Sequence, residues 1–420
     1  MSDIRRIALL SVHTSPLAAL GGSKTGGMNV YVRELTRELA RRGFAVDVFT
    51  RNYAADLPLV DRTLGLTARV IHIVAGPVAP LEPDAVAPYL PEFERNLRAF
   101  VAQDGTQSQY DFIFSHYWLS GVVAHGLREA WGIPIAQMFH TLGRMKDRIA
   151  KQPERRTERD LMEADVMSWA DCIVAATRAE VAQILWLYNA RRSRIEVVPP
   201  GVDLARFHPR PAGEARAALG LAPGQKMLLF VGRIEPLKAV DTIFEALALL
   251  KHEVPDLVHC LRLNIIGGDP DDPARENDEM ERLKALRIAL GLAEQVAFLG
   301  AKDQDALVDY YTAAEALIMP SDYESFGMVA LEAMASGTPV IASEVGGLAF
   351  LVQDGVNGFH VPVRDARALA NAMRRILAEP QTRARLAADA AGAAQAYSWV
   401  NVADRLLAVF ERVRGAMKGA

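Results

Sequence analysis

Two glutamates, Glu324 and Glu332, stand eight positions apart in the stretch SDYESFGMVALEAMASGTPVIAS. Eight residues of helix rise about 12 Å. That is the reach from a sugar to a ribose across a diphosphate. One carboxylate would hold sugar hydroxyls and the other a ribose diol. A helix is expected to start at Ser325–Gly327, so amides near Phe326 and Gly327 would receive a phosphate or a hydroxyl. A solvated helix glutamate is the simpler account of Glu332, but its flanks, VAL and AMA, are apolar.

Arg233 and Lys238 lie in FVGRIEPLK, just after an apolar run. A fork donor and a point charge together suit a diphosphate, although a solvated basic pair would look the same in sequence. In GGSKTGGMNVYVREL, Gly26 and Gly27 precede an amphipathic helix. Glycines there allow close backbone approach to an anion at a helix N-terminus, or simply a flexible loop. The spacing is not G-x-G-x-x-G, so the dinucleotide fingerprint is absent. His13 and Asn29 flank this loop. His116 in SHYW and His140 in FHTLG each end an apolar run. Both are candidates for acid–base work or hydrogen bonding, His140 first and His116 as its organiser. Lys146, Arg156 and Arg159 follow, and with Thr141 and Tyr117 would form a pocket for a second anion. Arg159 and Glu163 also have i,i+4 spacing, which a solvated helix face would share.

The elements that position these residues are legible as alternating runs. IRRIALLSV, AVDVFTR, ARVIHIV, DFIFSHY, IPIAQMFH, DCIVAAT and IEVVPPG read as strands, as do KMLLFVG, LRLNIIGG, QVAFLG, ALIMPS and PVIAS. Their near-continuous apolar character suits parallel strands buried on both faces. Helical runs separate them, so the class is α/β with right-handed crossovers. The first helix is expected to turn Val32, Leu35 and Leu39 inward and to end at Gly43. The segment holding Pro209, Pro211 and Pro223 reads as a connection between two domains. The expected division is 1–205, 206–397 and a terminal helix, 398–420, with Val400, Ala403, Leu407 and Phe410 on its inner face. Two doubly wound domains would face each other across a cleft, with ligands outside the carboxyl ends of the strands.

The chain has 420 residues, 47 Lys and Arg against 51 Asp and Glu, and a formal charge of −4. That balance argues against nucleic acid as a partner. Cys172 and Cys260 lack metal-type spacing and are expected as buried small hydrophobes. MSDIRRIALLSVHTSP is expected to be a first strand and not a signal peptide. No run reaches the ~18 apolar residues of a membrane span. The expected location is the cytoplasm.

GGMNVYVREL, SHYWLSG, FHTLG, VPPGVDLARF, FVGRIEPLK and ESFGMVALE together resemble the retaining family 4 glycosyltransferases of GT-B fold. The resemblance covers essentially the whole chain. SVHTSPL, GGMNVYV, HYWLSG and GRIEPLKA are similar to the D-inositol-3-phosphate N-acetylglucosaminyltransferases. HTLGRMK, VAATRAEV and VPPGVD are similar to the sucrose-phosphate synthases as well.

The resemblance implies a UDP-sugar donor, carrying glucose or N-acetylglucosamine, and a small phosphorylated acceptor, an inositol phosphate or a sugar phosphate. Sucrose synthase-like activity, or a lipid or polysaccharide acceptor, is the alternative. Arg233 and Lys238 would bind the donor diphosphate, Glu332 the ribose, and Glu324 the sugar hydroxyls with the Phe326 and Gly327 amides. Gly26 and Gly27 would approach the diphosphate, and His140 the donor sugar. Asn29, Tyr117, Thr141, Lys146 and Arg159 match acceptor positions. Pro83, beside Glu82, stands where the inositol-phosphate enzymes carry a lysine that reaches the acceptor. Asn29 stands where sucrose-phosphate synthases usually have glutamine. No cofactor and no obligatory metal are expected, on the reading that the chain has no Asp-x-Asp motif. A homodimer is among the assemblies left open.

Overall fold

The computed structural model describes residues 4–18, 26–106, 109–149, 157–268 and 278–419. The chain divides into two compact units. Among the described residues, the first gathers those up to Pro200 together with the terminal segment from Trp399, and the second those from Gly201 to Ser398. The chain thus leaves the first unit a few residues before the expected division.

The first unit is built on an eight-stranded sheet. Its strands are β1 (Arg6–Leu10), β2 (Ala45–Arg51), β3 (Val60–Asp61), β4 (Ala68–Ile73), β5 (Phe112–His116), β6 (Ile135–Met138), β7 (Cys172–Ala175) and β8 (Ile195–Val197). Their order is β3-β4-β2-β1-β5-β6-β7-β8, with β3 alone antiparallel to its neighbour. The second unit has six parallel strands: β9 (Lys226–Val231), β10 (Leu261–Ile266), β11 (Val296–Phe298), β12 (Ala316–Met319), β13 (Val340–Ser343) and β14 (Gly358–Val361). Their order is β11-β10-β9-β12-β13-β14. The central strands are largely apolar because helices cover both faces. Ile7, Leu9 and Leu10 of β1, and Leu228 and Leu229 of β9, are fully buried. Each such side chain contributes about 1.5–3 kcal/mol of burial.

Strand order reverses once in each unit, between β1 and β5 in the first and between β9 and β12 in the second. A crevice opens outside the carboxyl ends of the strands at such a point, and ligands of open α/β sheets bind there.

Helix Gly27–Arg41 buries Val32, Leu35 and Leu39 as its periodicity requires. Gly43, at φ 85°, supplies the left-handed turn after it. The terminal helix Trp399–Lys418 packs on the first unit. Phe410 stacks on Phe112 at 4.3 Å, Arg42 pairs with Asp404 and Arg414 with Asp111. Its inner face is rotated from the expected one. Val402, Ala403, Leu406, Val409 and Phe410 are buried, whereas Val400 is exposed and Leu407 only half-buried. Two stripes of similar apolar content run along this helix, and the packing partner chooses between them. Cys172 is buried, but Cys260 is exposed. It caps a short helix one residue before β10 and so precedes the buried strand. No helix among the described residues is long and apolar enough to cross a membrane.

Candidate active site

In the second unit, the loops after β9 and β12 meet. Lys238 Nζ lies 2.5 Å from Glu324 Oε2, and both side chains are largely buried. Arg233, at the end of β9, is more exposed and pairs with Glu235 at 2.8 Å. The two cations read from the sequence are therefore each held by a carboxylate and not free. Lys238 is aimed by a short 3-10 turn, Pro236–Lys238, that ends on Ala239 in a left-handed conformation. Gly327 precedes helix Met328–Ala335 at φ 99°. The first amides of that helix have no intrahelical acceptors.

Glu332 is buried, which removes the surface-glutamate reading. Its carboxylate accepts hydrogen bonds from Gln304 Nε2 at 2.8 Å and Tyr311 Oη at 2.9 Å. Burial, and then the Glu332 carboxylate, hold the Tyr311 phenol well above its ordinary pKa. Both donors fix the rotamer of Glu332. Phe326 is buried against Tyr397 with ring centroids 5.9 Å apart.

Sequence reasoning passed over the glycine pair that supports this loop. Gly347 N donates to Glu324 O at 2.9 Å. A Cβ on Gly346 would stand 1.8 Å from the same carbonyl oxygen, and one on Gly347 2.2 Å from Phe326 Cα. The readable signal was VGG directly after the PVIAS strand. Gly346→Ala is expected to displace Glu324 and lower turnover by about 10²-fold, the usual effect of a misplacement near 1 Å. Steady-state kinetics beside a melting curve would check this. Wild-type turnover would show that the loop does not need the close approach.

In the first unit, the ends of β1, β5 and β6 bring His13, His116 and His140 together. His116 Nδ1 and His140 Nε2 lie 3.0 Å apart. His13 packs on the Tyr117 ring at 4.5 Å. Burial, assisted by the Arg159 charge, pushes His13 down to about 3. Burial, and then His13, push His140 down to about 3 as well. His116 is lowered by the same desolvation and by His140. The cluster is therefore neutral at physiological pH. It can donate and accept hydrogen bonds but does not supply a cation. Tyr117, at φ 71°, and His140, at φ 62°, hold left-handed backbone conformations that non-glycine residues adopt only under constraint. Gln137 on β6 braces this turn by donating to Tyr117 O at 3.1 Å. Its signal was a polar residue inside an apolar strand.

Arg159 is largely buried and not on a solvated face. Its Nη2 donates to Thr141 O at 2.9 Å and to Thr141 Oγ1 at 3.2 Å. Its Nε pairs with fully buried Glu163 at 2.7 Å, and its guanidinium lies 4.9 Å from the Tyr117 ring centroid. Burial works against this charge, but Glu163 more than offsets it and the pKa rises. Glu163 also accepts from Tyr188 Oη and from Gly143 N. A Cβ at Gly143 would stand 2.6 Å from Asp160 Oδ1, so only glycine admits these carboxylates. Lys146 lies on the exposed side of helix Gly143–Ile149. Arg156, and the first glycine pair Gly21–Gly22, lie outside the described residues.

Asn29 has a structural task beside the acceptor contact expected of it. It is buried, its Oδ1 accepts from Gly26 N at 3.0 Å, and its Nδ2 donates to Thr14 Oγ1 and Ser15 O. It ties the Gly26–Gly27 turn to the loop after β1. Pro83 starts a short helix, Pro83–Val86.

The metal expectation needs a correction, because two Asp-x-Asp triplets do occur. Asp303 caps its own helix through Ala306 N at 2.8 Å, and Asp305 pairs with Arg206 at 3.0 Å. That triplet is used in folding. Asp269-Pro270-Asp271 follows β10 and lies outside the described residues.

The comparisons with known proteins agree with this geometry. Residues 25–206 match the model of Glycosyltransferase Family 4, and residues 212–392 that of Glycosyl transferases group 1. The chain is 42% identical to a D-inositol 3-phosphate glycosyltransferase of Actinosynnema mirum, covering 99% of each chain. It is also 42% identical to that of Geodermatophilus obscurus, covering 99% of this chain and 91% of the relative. Among solved structures, sucrose-phosphate synthase from Thermosynechococcus elongatus superposes with a TM-score of 0.88 at 35% identity, over 98% of this chain and all of that one. Anabaena HepE in complex with UDP-glucose shares the fold, with a TM-score of 0.72 at 20% identity over 99% of this chain. The chain belongs to the family 4 glycosyltransferases of GT-B fold.

Proposed function

We propose that this glycosyltransferase moves glucose or N-acetylglucosamine from a UDP-sugar to a small phosphorylated acceptor, with retention at the anomeric carbon. The observation that carries the reading is the Lys238–Glu324 contact at the point where strand order reverses in the second unit. It holds a cation suited to a departing diphosphate beside a carboxylate suited to sugar hydroxyls. Arg233 adds the fork donor, Glu332 takes the ribose diol, and amides at Phe326 and Gly327 receive oxygen.

In this reading the bond from the anomeric carbon to the diphosphate oxygen breaks first. Lys238, Arg233 and the helix N-terminus stabilise the charge that develops on that oxygen. The acceptor hydroxyl attacks from the same face, and its proton passes to the leaving phosphate oxygen. UDP departs. His140, neutral and constrained, hydrogen-bonds the donor sugar, and Gly26 and Gly27 admit the diphosphate. The acceptor phosphate is met by Arg159, with Thr141, Tyr117 and Lys146.

The names of the relatives favour an inositol phosphate as acceptor. A sugar phosphate is the second reading, supported by the 35% identity to a sucrose-phosphate synthase. Release of UDP from UDP-glucose and UDP-N-acetylglucosamine, with and without an inositol phosphate or fructose 6-phosphate, tests both. Stimulation by one acceptor identifies the branch. Slow release that no phosphorylated acceptor stimulates overturns the acceptor assignment. The same assay in chelator is expected to retain activity. Loss restored by Mg²⁺ would make Asp269 and Asp271 the first residues to replace.

A further inference from the structure

The terminal helix begins with an aromatic side chain that backs the ring beside the histidine cluster. Trp399 is buried and meets Tyr31 edge-on, with ring centroids 5.4 Å apart at 82°. Tyr31 is fully buried. It meets His140 edge-on at 5.4 Å and His116 at 5.4 Å. Edge-to-face pairs of this kind contribute beyond their area. The Tyr31 hydroxyl is buried without a hydrogen-bond partner among the described residues.

His140 needs such support. Its backbone is left-handed at φ 62°, a conformation that persists only where the surroundings over-determine it. One ring nitrogen is fixed by His116 at 3.0 Å. Its ring also meets Tyr31 edge-on, and Tyr31 is itself backed by Trp399. Residues distant in sequence thus form one stack, Trp399–Tyr31–His140.

We propose that Trp399, acting through Tyr31, is a positioning residue that holds His140 in its ligand-facing geometry. The inference rests on the assignment of His140 to the donor sugar. It makes the first residue of the terminal helix part of the site, not only part of the scaffold. The stack also keeps water from the imidazole. The titratable and charged groups that bear on His140 are His116 on β5, His13 after β1 and Tyr31 on its helix, with Arg159 acting on His13. None of them is an anion that would stabilise an imidazolium.

The test uses the full-length chain with Trp399→Leu, Trp399→Phe, Tyr31→Leu and Tyr31→Phe. Two readouts are taken: kcat and donor KM by UDP release, and titration of the His140 ring in protein labelled with ¹⁵N-histidine, assigned with His140→Gln. The leucine variants are expected to lose about tenfold or more in kcat with donor KM nearly unchanged. Their His140 should titrate roughly one unit or more above the native value as water enters. The phenylalanine variants should match the native protein. Leu406→Ala, which removes buried area from the same helix face, controls for lost stability and should leave His140 in place. The proposal is overturned if Trp399→Leu does not move the His140 titration, or if Leu406→Ala moves it equally. If the native protein turns over neither donor, the functional reading fails, and the ring titration still decides the positioning role.

Discussion

Lys238→Ala is expected to lower turnover by about 10²–10³-fold, the usual loss when one preorganised group is taken from a developing oxyanion. The effect should fall on kcat, because the charge it meets grows as the diphosphate leaves. Glu324→Gln preserves shape and removes the partner at 2.5 Å, and a loss of the same order is expected. Because the two side chains touch, the losses should not add; the double variant should be little worse than either single one. Additive losses would mean that the residues act independently. Unchanged turnover in either single variant would remove the donor site from this loop pair.

Arg159→Ala is expected to act on binding and on folding together. A lost charge-assisted contact to a phosphate is worth about 1.5–3 kcal/mol, or roughly a ten- to hundredfold rise in acceptor KM. Removing the guanidinium also strands Glu163, which is fully buried. Breaking a buried pair from one side costs about 3–5 kcal/mol. The two effects separate in Arg159→Met combined with Glu163→Gln. A neutral pair of similar volume should restore most of the melting temperature without restoring acceptor binding. If the double variant recovers a native acceptor KM, Arg159 is purely structural and the acceptor phosphate is held elsewhere.

The strands were readable because parallel strands buried on both faces spell themselves as apolar runs. β2, for instance, matches the run AVDVFTR end to end. β3 and β14 escaped because β3 is two residues long and β14 opens on a glycine, GFHV. Neither carries enough apolar pattern of its own, and each is defined by a neighbour. The individual site residues were readable for a related reason. A strand end in an α/β sheet is a predictable location: His116 and His140 stand at or just past one, and Lys238 and Glu324 lie in the loops that follow one.

Their partners were not readable. Glu163 lies four residues from Arg159, a spacing that reads as a solvated pair. Only the packing of Tyr188 and Gly143 around it shows that the pair is buried. Gln304 and Tyr311 hold Glu332 from a neighbouring helix, and nothing local in either residue announces this. Asn29 was assigned to the acceptor by resemblance alone. Its amide also binds Gly26 N, Thr14 Oγ1 and Ser15 O, a bracing role that no local pattern announces. Trp399 and Tyr31 are separated by nearly the whole chain. Burial and long-range pairing are properties of the three-dimensional arrangement, and a local pattern cannot carry them.

The discontinuity of the first unit has a consequence for biosynthesis. Its sheet and helices are encoded before Pro200, but the helix that covers Phe112 and Tyr31 comes after Ser398. At ribosomal rates of about 5–20 residues per second, the intervening segment takes roughly 10–40 s to emerge. Throughout that interval the nascent first unit presents an apolar strip with no cover, while the second unit is still being made. The residues after Ser398 are therefore the ones that end the exposure, and a chain terminated before them keeps an adhesive face for as long as it survives.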